Sequence, residues 1–241
     1  MKTLILILIF SSSLICAPSS IAYVSKTKGD VKHKKKSDKN YEEPKKGTQL
    51  YNNDLIQTGD NGFAKYIYID DGTQIKIHNN SEVYIRGELE RKSIIKQLNL
   101  DECTIKFDIK KQSSDEFTVI TPTSVASVKG TSFWIDCNGK SGDQFFGESG
   151  SVVIRNRESG EKRELTKNKV ASSMPDGTLD VRQITVSELK MLQNIEEETG
   201  EAQNTDSGTG NSQSQDSTGD EIIIQFQDDS GDQKTITIRV K

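Results

Sequence analysis

The sequence predicts an all-β fold: a solenoid-like or sandwich-like β domain with one short C-terminal helix and a terminal β-hairpin. Three observations carry this reading. Short β-branched or aromatic runs, separated by Gly, Asp and Asn, recur from Tyr23 onward. A single capped helical pattern appears near residue 185, and strand chemistry resumes after a polar, acidic stretch.

Ahead of the domain, Lys2 and the apolar run Leu4–Phe10 precede Ser20-Ile21-Ala22, which sets small residues at the minus-three and minus-one positions of a cleavage site. Residues 1–22 are therefore expected to be a signal peptide cut after Ala22, and the product to be periplasmic or secreted. The apolar run breaks at Ser11–Ser13, short of the ~20 residues of a membrane span. No span is expected after cleavage. An uncleaved anchor and a lipoprotein signal at Cys16 fit less well, the second because bulky Ile15 precedes the cysteine.

The formal net charge of −4 becomes −5 without Lys2. This argues against a nucleic-acid partner, since phosphate contacts need a basic face. Of the cysteines, Cys103 and Cys137 remain after cleavage. A disulfide between them would close a loop of about 35 residues and stabilise by roughly 3–4 kcal/mol in the chain-entropy model. Two separate buried thiols fit the sequence equally well.

Residues 23–183 carry the β domain. In "FAKYIYIDDGTQIKIH" two alternating runs flank Asp71-Gly72, a dipeptide suited to a tight hairpin. Further strands are expected at "SEVYIRGEL", "IIKQLNL", "CTIKFDIK", "EFTVIT", "SFWIDC", "DQFFGESG", "SVVIRNR" and "KRELTKNKV". Lys26–Lys46 holds nine Lys against four acids; it reads either as a solvated hairpin tip between strand flanks or as a patch for anionic envelope polymers.

Residues 184–199 read as a helix. Thr185 and Glu188 form a capping box, Ile184 and Leu189 a hydrophobic staple, Leu189, Leu192 and Ile195 a narrow apolar face, and Gly200 the C-terminal cap. Residues 200–219, rich in Gly, Ser, Thr and acid, are expected to be a disordered linker. Residues 220–241 form two alternating runs around "DDSGD", a hairpin. Because an isolated hairpin is marginal in water, residues 221–240 must pair with a sheet edge, either in their own domain or, by β-strand addition, in a partner.

The stretch "TPTSVASVKGTSFWI" at 121–135 combines a strand stop at Pro122, small residues through Val128, Gly130 at a bulge or close backbone approach, and Phe133-Trp134-Ile135, which needs burial on both faces. Its pattern Thr121, Pro122, Val125, Ala126, Val128, Gly130, Thr131 and Phe133 resembles the signature of FecR-type periplasmic domains. "GDV" at 29–31, "LIQTGDNGFAKY" at 55–66, "DDGTQIKIHNNSEV" at 70–83 and "GESGSVVI" at 147–154 resemble the same family in order, so the likeness spans roughly residues 23–172. It implies a β-rich extracytoplasmic domain, used in the best-known members to pass a signal from an outer-membrane transporter to a cytoplasmic sigma factor. Those regulators carry an anti-sigma segment and a membrane helix before the domain, whereas a signal peptide is expected to precede this one. The stand-alone exported members are the better likeness.

Chemical motifs are sparse. His33 and His78 lack metal-ligand spacing, and His78, following a strand and preceding Asn79-Asn80, reads as a surface residue beside a turn. Calcium held by Asp60, Asn61, Asp70 and Asp71 from two loops matches no loop signature. Trp134 reads as core rather than as a platform for a sugar. No catalytic residue, metal or cofactor is assigned. The expected function is non-catalytic binding of an envelope protein or polysaccharide, with sigma-factor control through a membrane regulator, or polysaccharide processing, as alternatives.

Overall fold

The computed structural model describes residues 19–90, 93–112, 116–138 and 140–200, together with the strands at 221–227 and 233–239. The expected leader up to residue 18, the expected linker from residue 201 and the "DDSGD" turn lie outside the described residues. The chain divides into two compact units, residues 1–202 and 203–241.

In chain order the first unit runs β1 (Ala22–Lys28), β2 (Val31–Lys34), β3 (Gln49–Leu50), β4 (Asp54–Thr58), β5 (Phe63–Tyr68), β6 (Gln74–Ile77), β7 (Ser81–Glu90), β8 (Ser93–Leu100), β9 (Cys103–Ile109), β10 (Phe117–Ile120), β11 (Ser124–Val128), β12 (Thr131–Asn138), β13 (Gly142–Ser149), β14 (Ser151–Asn156), β15 (Lys162–Thr166), β16 (Lys169–Ser173), β17 (Leu179–Gln183) and α1 (Val186–Thr199). The strands stack as two sheets. The first has the order β17-β16-β13-β12-β9-β6-β5-β1-β3, and the second β15-β14-β11-β10-β8-β7-β4-β2. The chain repeatedly crosses between them, and tight turns mark the crossings: Gly29 leads from β1 to β2, and a Cβ there would sit 2.0 Å from the carbonyl oxygen of Asn61. The expected all-β architecture is thus an open two-sheet sandwich. The second unit contains β18 (Glu221–Gln227) paired antiparallel with β19 (Gln233–Arg239).

Alternation explains the core. Tyr66, Tyr68, Ile75, Ile77, Phe107, Phe117, Val119, Ala126, Val128, Phe133 and Ile135 all turn inward and are buried. Phe133 stacks on Phe107 at 4.7 Å, and Phe117 meets Tyr68 edge-on at 5.8 Å. Each such side chain contributes about 1.5–3 kcal/mol by leaving water. β12 differs because Trp134 is buried as well: it points to the opposite face, where Phe146, Val170 and Leu192 of α1 cover it.

One expectation changes. His78 is buried, not exposed, stacked on Trp134 at 4.9 Å and against Phe63 at 5.2 Å. His78 follows the end of β6, and Trp134 from the middle of β12, two strands away, packs on it, so a residue that looks turn-flanking in sequence is enclosed in space. Ile21 and Ala22, which a cut after Ala22 would remove, are core residues, with β1 starting at Ala22.

Candidate functional site

The signature segment serves two purposes. Its first half builds a corner: Ser124 N–H donates to Thr121 Oγ1 at 2.9 Å, both the N–H and the hydroxyl of Thr123 donate to buried Asp143, and Arg157 donates to the carbonyls of Thr121 and Pro122 at 3.1 Å. Ala126 and Val128 enter the core, while Val125 is half-buried on the outer face. Its second half lies at the opposite end of β11. Gly130, in the turn to β12 rather than within a strand, has a φ of +156°, and a Cβ there would lie 3.1 Å from Lys111 Cα. Gly150, at φ +69°, would bring a Cβ to 2.8 Å from the Gly130 carbonyl oxygen. Thr131 Oγ1 donates to Ser151 O at 2.8 Å, and Gln112 N–H to Lys129 O at 2.7 Å. Two glycines thus let the turns at 110–112, 129–131 and 149–151 converge.

A cleft of about 630 Å³ opens where they meet. Lys110, Lys111 and Lys129 give it a basic rim, and Thr131, Ser132, Ser149 and Ser151 supply hydroxyls. Lys129 reaches Glu116 at 3.3 Å, an exposed pair that salt screens. Such a site suits an anionic, hydrogen-bonding partner. At the other end of β9, some seven residues and about 23 Å along the strand, a cleft of about 380 Å³ is lined by Asp30, Glu82, Asp101 and Glu102 with Lys32. The sandwich therefore has one basic and one acidic end.

The remaining candidates are kept apart or absorbed into structure. Cys103 and Cys137, directly opposite on β9 and β12, are joined by a disulfide. Asp60 and Asn61 sit at one end of β5, and Asp70 and Asp71 at the other, six residues and about 20 Å away, so the calcium constellation is not assembled. Lys96 already binds Asp70 and Asp71, at 2.7 and 3.0 Å. Burial pushes the Asp71 carboxyl up, but hydrogen bonds from Thr73, Lys96 and Gln112 outweigh it and hold the group below the usual carboxylate range. His33 Nε2 lies 2.9 Å from Asp54 Oδ2, and Asp54 also accepts the N–H groups of Tyr51 and Lys36. That pair pins the lysine-rich loop at its base. Sequence reasoning missed the buried Lys76 and Lys106; each lies on the polar face of its strand, beside Gln74 in β6 and between Thr104 and Asp108 in β9, which reads as solvent-facing.

The corner, the glycine turns and the order of the motifs coincide with a family match: residues 54–156 fit the model described as FecR protein. These residues form a FecR domain. The match is narrower than the likeness read from the motifs. β1, β2 and β3 before the FecR domain, and β15, β16 and β17 after it, complete its two sheets. Two crystal structures, at 2.50 and 1.65 Å, of a protein from Parabacteroides distasonis ATCC 8503 provisionally described as an anti-sigma factor align at 16% and 17% identity with a TM-score of 0.48. Each alignment covers 58% of this chain and 64% of the other, so the chain spans about 64% of those proteins' length. No curated protein matches the chain. Among the described residues no helix is long and apolar enough to cross a membrane.

Proposed function

We propose that this chain is an exported, non-catalytic FecR-type module with a regulatory role, binding a protein partner in the cell envelope through the cleft at Gly130. The observation that carries the proposal is the placement of the family's Gly-Thr pair. Gly130 and Thr131 shape an open basic cleft instead of filling core, and the FecR domain match supports a regulatory setting. The partner element that suits the cleft is an acidic loop. Residues 184–199 would dock on domain 23–183, and the hairpin at 220–241, beyond the linker, would be a second contact that adds strands to a sheet edge. The double variant Lys111→Glu/Lys129→Glu tests the cleft. Cross-linking in intact cells should lose one specific product while the melting temperature is kept; an unchanged cross-linking pattern would overturn the assignment. Release of reducing ends from envelope polysaccharides by the purified protein would instead make it an enzyme.

Export requires a cut that spares the sandwich. Ile21 is 2% exposed, its N–H donates to Leu50 O at 2.9 Å, and its carbonyl accepts from Ile69 at 3.1 Å. A cut after Ala22 would delete these contacts and set a new α-ammonium inside β1. The bond after Ser19 has Ala17 and Ser19 at the small-residue positions and leaves Ile21 in the mature chain. We place the cut there. Intact mass of the exported protein decides: a chain beginning at Ser20 supports the assignment, and one beginning at Tyr23 sinks it.

A further inference from the structure

Directly opposed residues form a row across the outer face of the first sheet. Lys26 pairs with Lys65, Lys65 with Lys76 and Lys76 with Lys106, so four adjacent strands present a lysine at one level. Like charges held opposite one another repel. Lys76 and Lys106 are also buried, at 5% and 1% exposure, and a buried charge is costly unless paired and hydrogen-bonded. Beyond Lys106 the row continues through Trp134, Phe146 and Val170 and ends at Arg182.

Helix α1 lies along this row and answers it at four-residue intervals, the spacing that puts side chains on one helix face. Glu188 accepts from the two terminal guanidinium nitrogens of Arg182, Nη2 at 2.6 Å and Nη1 at 2.9 Å. Leu192 packs on Trp134, Phe146 and Val170. One oxygen of Glu196 accepts from Lys76 at 2.9 Å, and the other from Lys106 at 3.0 Å. At the helix end, Lys26 donates to the carbonyls of Thr199 and Gly200, and Lys28 to that of Glu198. These are the groups that carry the negative end of the helix dipole.

The dock joins these charged contacts to a small apolar one, where Ile184 and Ile195 also pack, half-buried, against the cluster of Trp134, Phe146, Val170 and Leu192. Leu192 is the buried residue of α1, whereas Val186, Leu189 and Met191 are exposed. The sheet also supplies carboxylates of its own to the row, and Lys76 lies 3.8 Å from Asp108. Glu148 accepts from Lys106 at 2.9 Å and from the Trp134 indole N–H at 3.1 Å, and Ser132 Oγ lies 2.7 Å from both Asp108 and Glu148.

We propose that the lysine row, with Trp134 at its centre, is a binding groove for an acidic helical segment of a protein partner, and that α1 occupies it in cis. The recognised pattern is an acid, an apolar residue and an acid at i, i+4 and i+8, the helix-in-groove mode with charged anchors. Tethering gives α1 an effective concentration in the millimolar range, so a competing segment binds only as far as α1 releases the groove. The groove shares no residue with the rim of the cleft at Gly130 apart from Asp108 and Ser132, and its test is independent of that site.

The test uses the full chain and, as probe, a synthetic peptide of residues 184–200. Glu196→Gln removes the carboxylate that joins Lys76 to Lys106 while keeping its shape. The expected result is loss of hydrogen-exchange protection over 186–199, a red shift in the emission of Trp134, the single tryptophan, and binding of the labelled peptide about tenfold tighter than by the unaltered chain. A control peptide with Gln at the position of Glu196 should not show this gain. Protection unchanged from the unaltered chain would overturn the proposal. So would release of α1 without peptide binding, which would leave the helix a structural brace. If Glu196→Gln fails to fold, Leu192→Ala removes the apolar anchor, keeps the lysines intact and is read in the same way.

Discussion

A Cβ added at Gly130 meets backbone, the Cα of Lys111 at 3.1 Å, and not the far end of a movable side chain. Gly72 offers the contrast: its φ is +75°, and nothing lies within 4 Å of an added Cβ. Gly72→Ala should lose only local strain, about 1 kcal/mol. Gly130→Val should lose about 2–3 kcal/mol, because two chain segments must also part. Thermal melts of the two variants compare them directly, and equal losses would show that the close approach is unimportant. The close approach was legible in the sequence, because a glycine among strand formers marks a bulge or a point where two backbones meet. His78, Lys76 and Lys106 were not legible. Each looks exposed in its local pattern, and each is enclosed by elements far away in the chain: β12 over His78, and the end of α1 over the lysines. Alternation reports which face a side chain takes, not what later covers that face.

At the scale of elements, α1 follows its sequence signals closely at its ends and less so along its face. Thr185 caps the first turn, with Glu188 reaching back to the Thr185 N–H, and Gly200 closes the last turn at φ +67°. The apolar stripe predicts Leu189, Leu192 and Ile195 on one face; Leu192 and Ile195 pack toward Trp134, whereas Leu189 is 40% exposed, and Glu188 and Glu196 supply further contacts with the sheet. β17 went unread because "LDVRQ" is short and carries only two apolar residues; Leu179 enters the core, Val181 packs against it, and the strand pairs with β16. Docking of α1 should therefore depend on pH. Hydrogen bonds from Arg182, against a smaller effect of burial, bring the Glu188 carboxyl down from its ordinary 4.5 to about 2. A depressed carboxyl stabilises the fold above its unfolded value and loses that contribution as pH falls from about 4.5 toward about 2. For Lys106 burial lowers the value, but Glu148 and Glu196 outweigh it and raise the group above 10.5, so its contribution holds below pH 10.5 and fades above. Hydrogen exchange over 186–199 should show a plateau of protection between these limits. Thr185→Ala should cost the helix about 1 kcal/mol, lower the plateau and, because the Thr185 hydroxyl also donates to Glu188, move the acid edge slightly upward while leaving the alkaline edge in place; a shift of the alkaline edge would contradict this division of roles.

For the whole molecule, the all-β class was legible because strand patterns and turn residues recur through most of the chain, whereas the choice between a sandwich and a solenoid, and the order of strands, were not. Nothing local says that β12 lies between β9 and β13 or that β10 joins β8 in parallel. The pairing of Cys103 with Cys137 belongs to that long-range information, since it exists only because β9 and β12 are neighbours in register. The bond spans 34 residues, a stretch that includes β10, β11 and their crossing into the second sheet. It therefore restricts the unfolded chain across both layers of the sandwich. Loop-closure entropy puts its contribution at about 3–4 kcal/mol, which for a domain of this size corresponds to a melting shift of roughly 6–16 °C. The double variant Cys103→Ser/Cys137→Ser should melt lower by that amount in non-reducing buffer and approach the parent chain once reductant has opened the bond. Two hydroxyls in place of a buried disulfide add a small penalty that persists in reductant, so the gap should close most of the way. A variant that melts with the oxidised parent would show that the bridge contributes nothing. A parent chain unaffected by reductant, beside a variant that melts lower, would assign the loss to the buried hydroxyls and not to the cross-link. Only an oxidising compartment maintains such a bond, so a large shift would also mean that the stability of this fold depends on the export proposed for it.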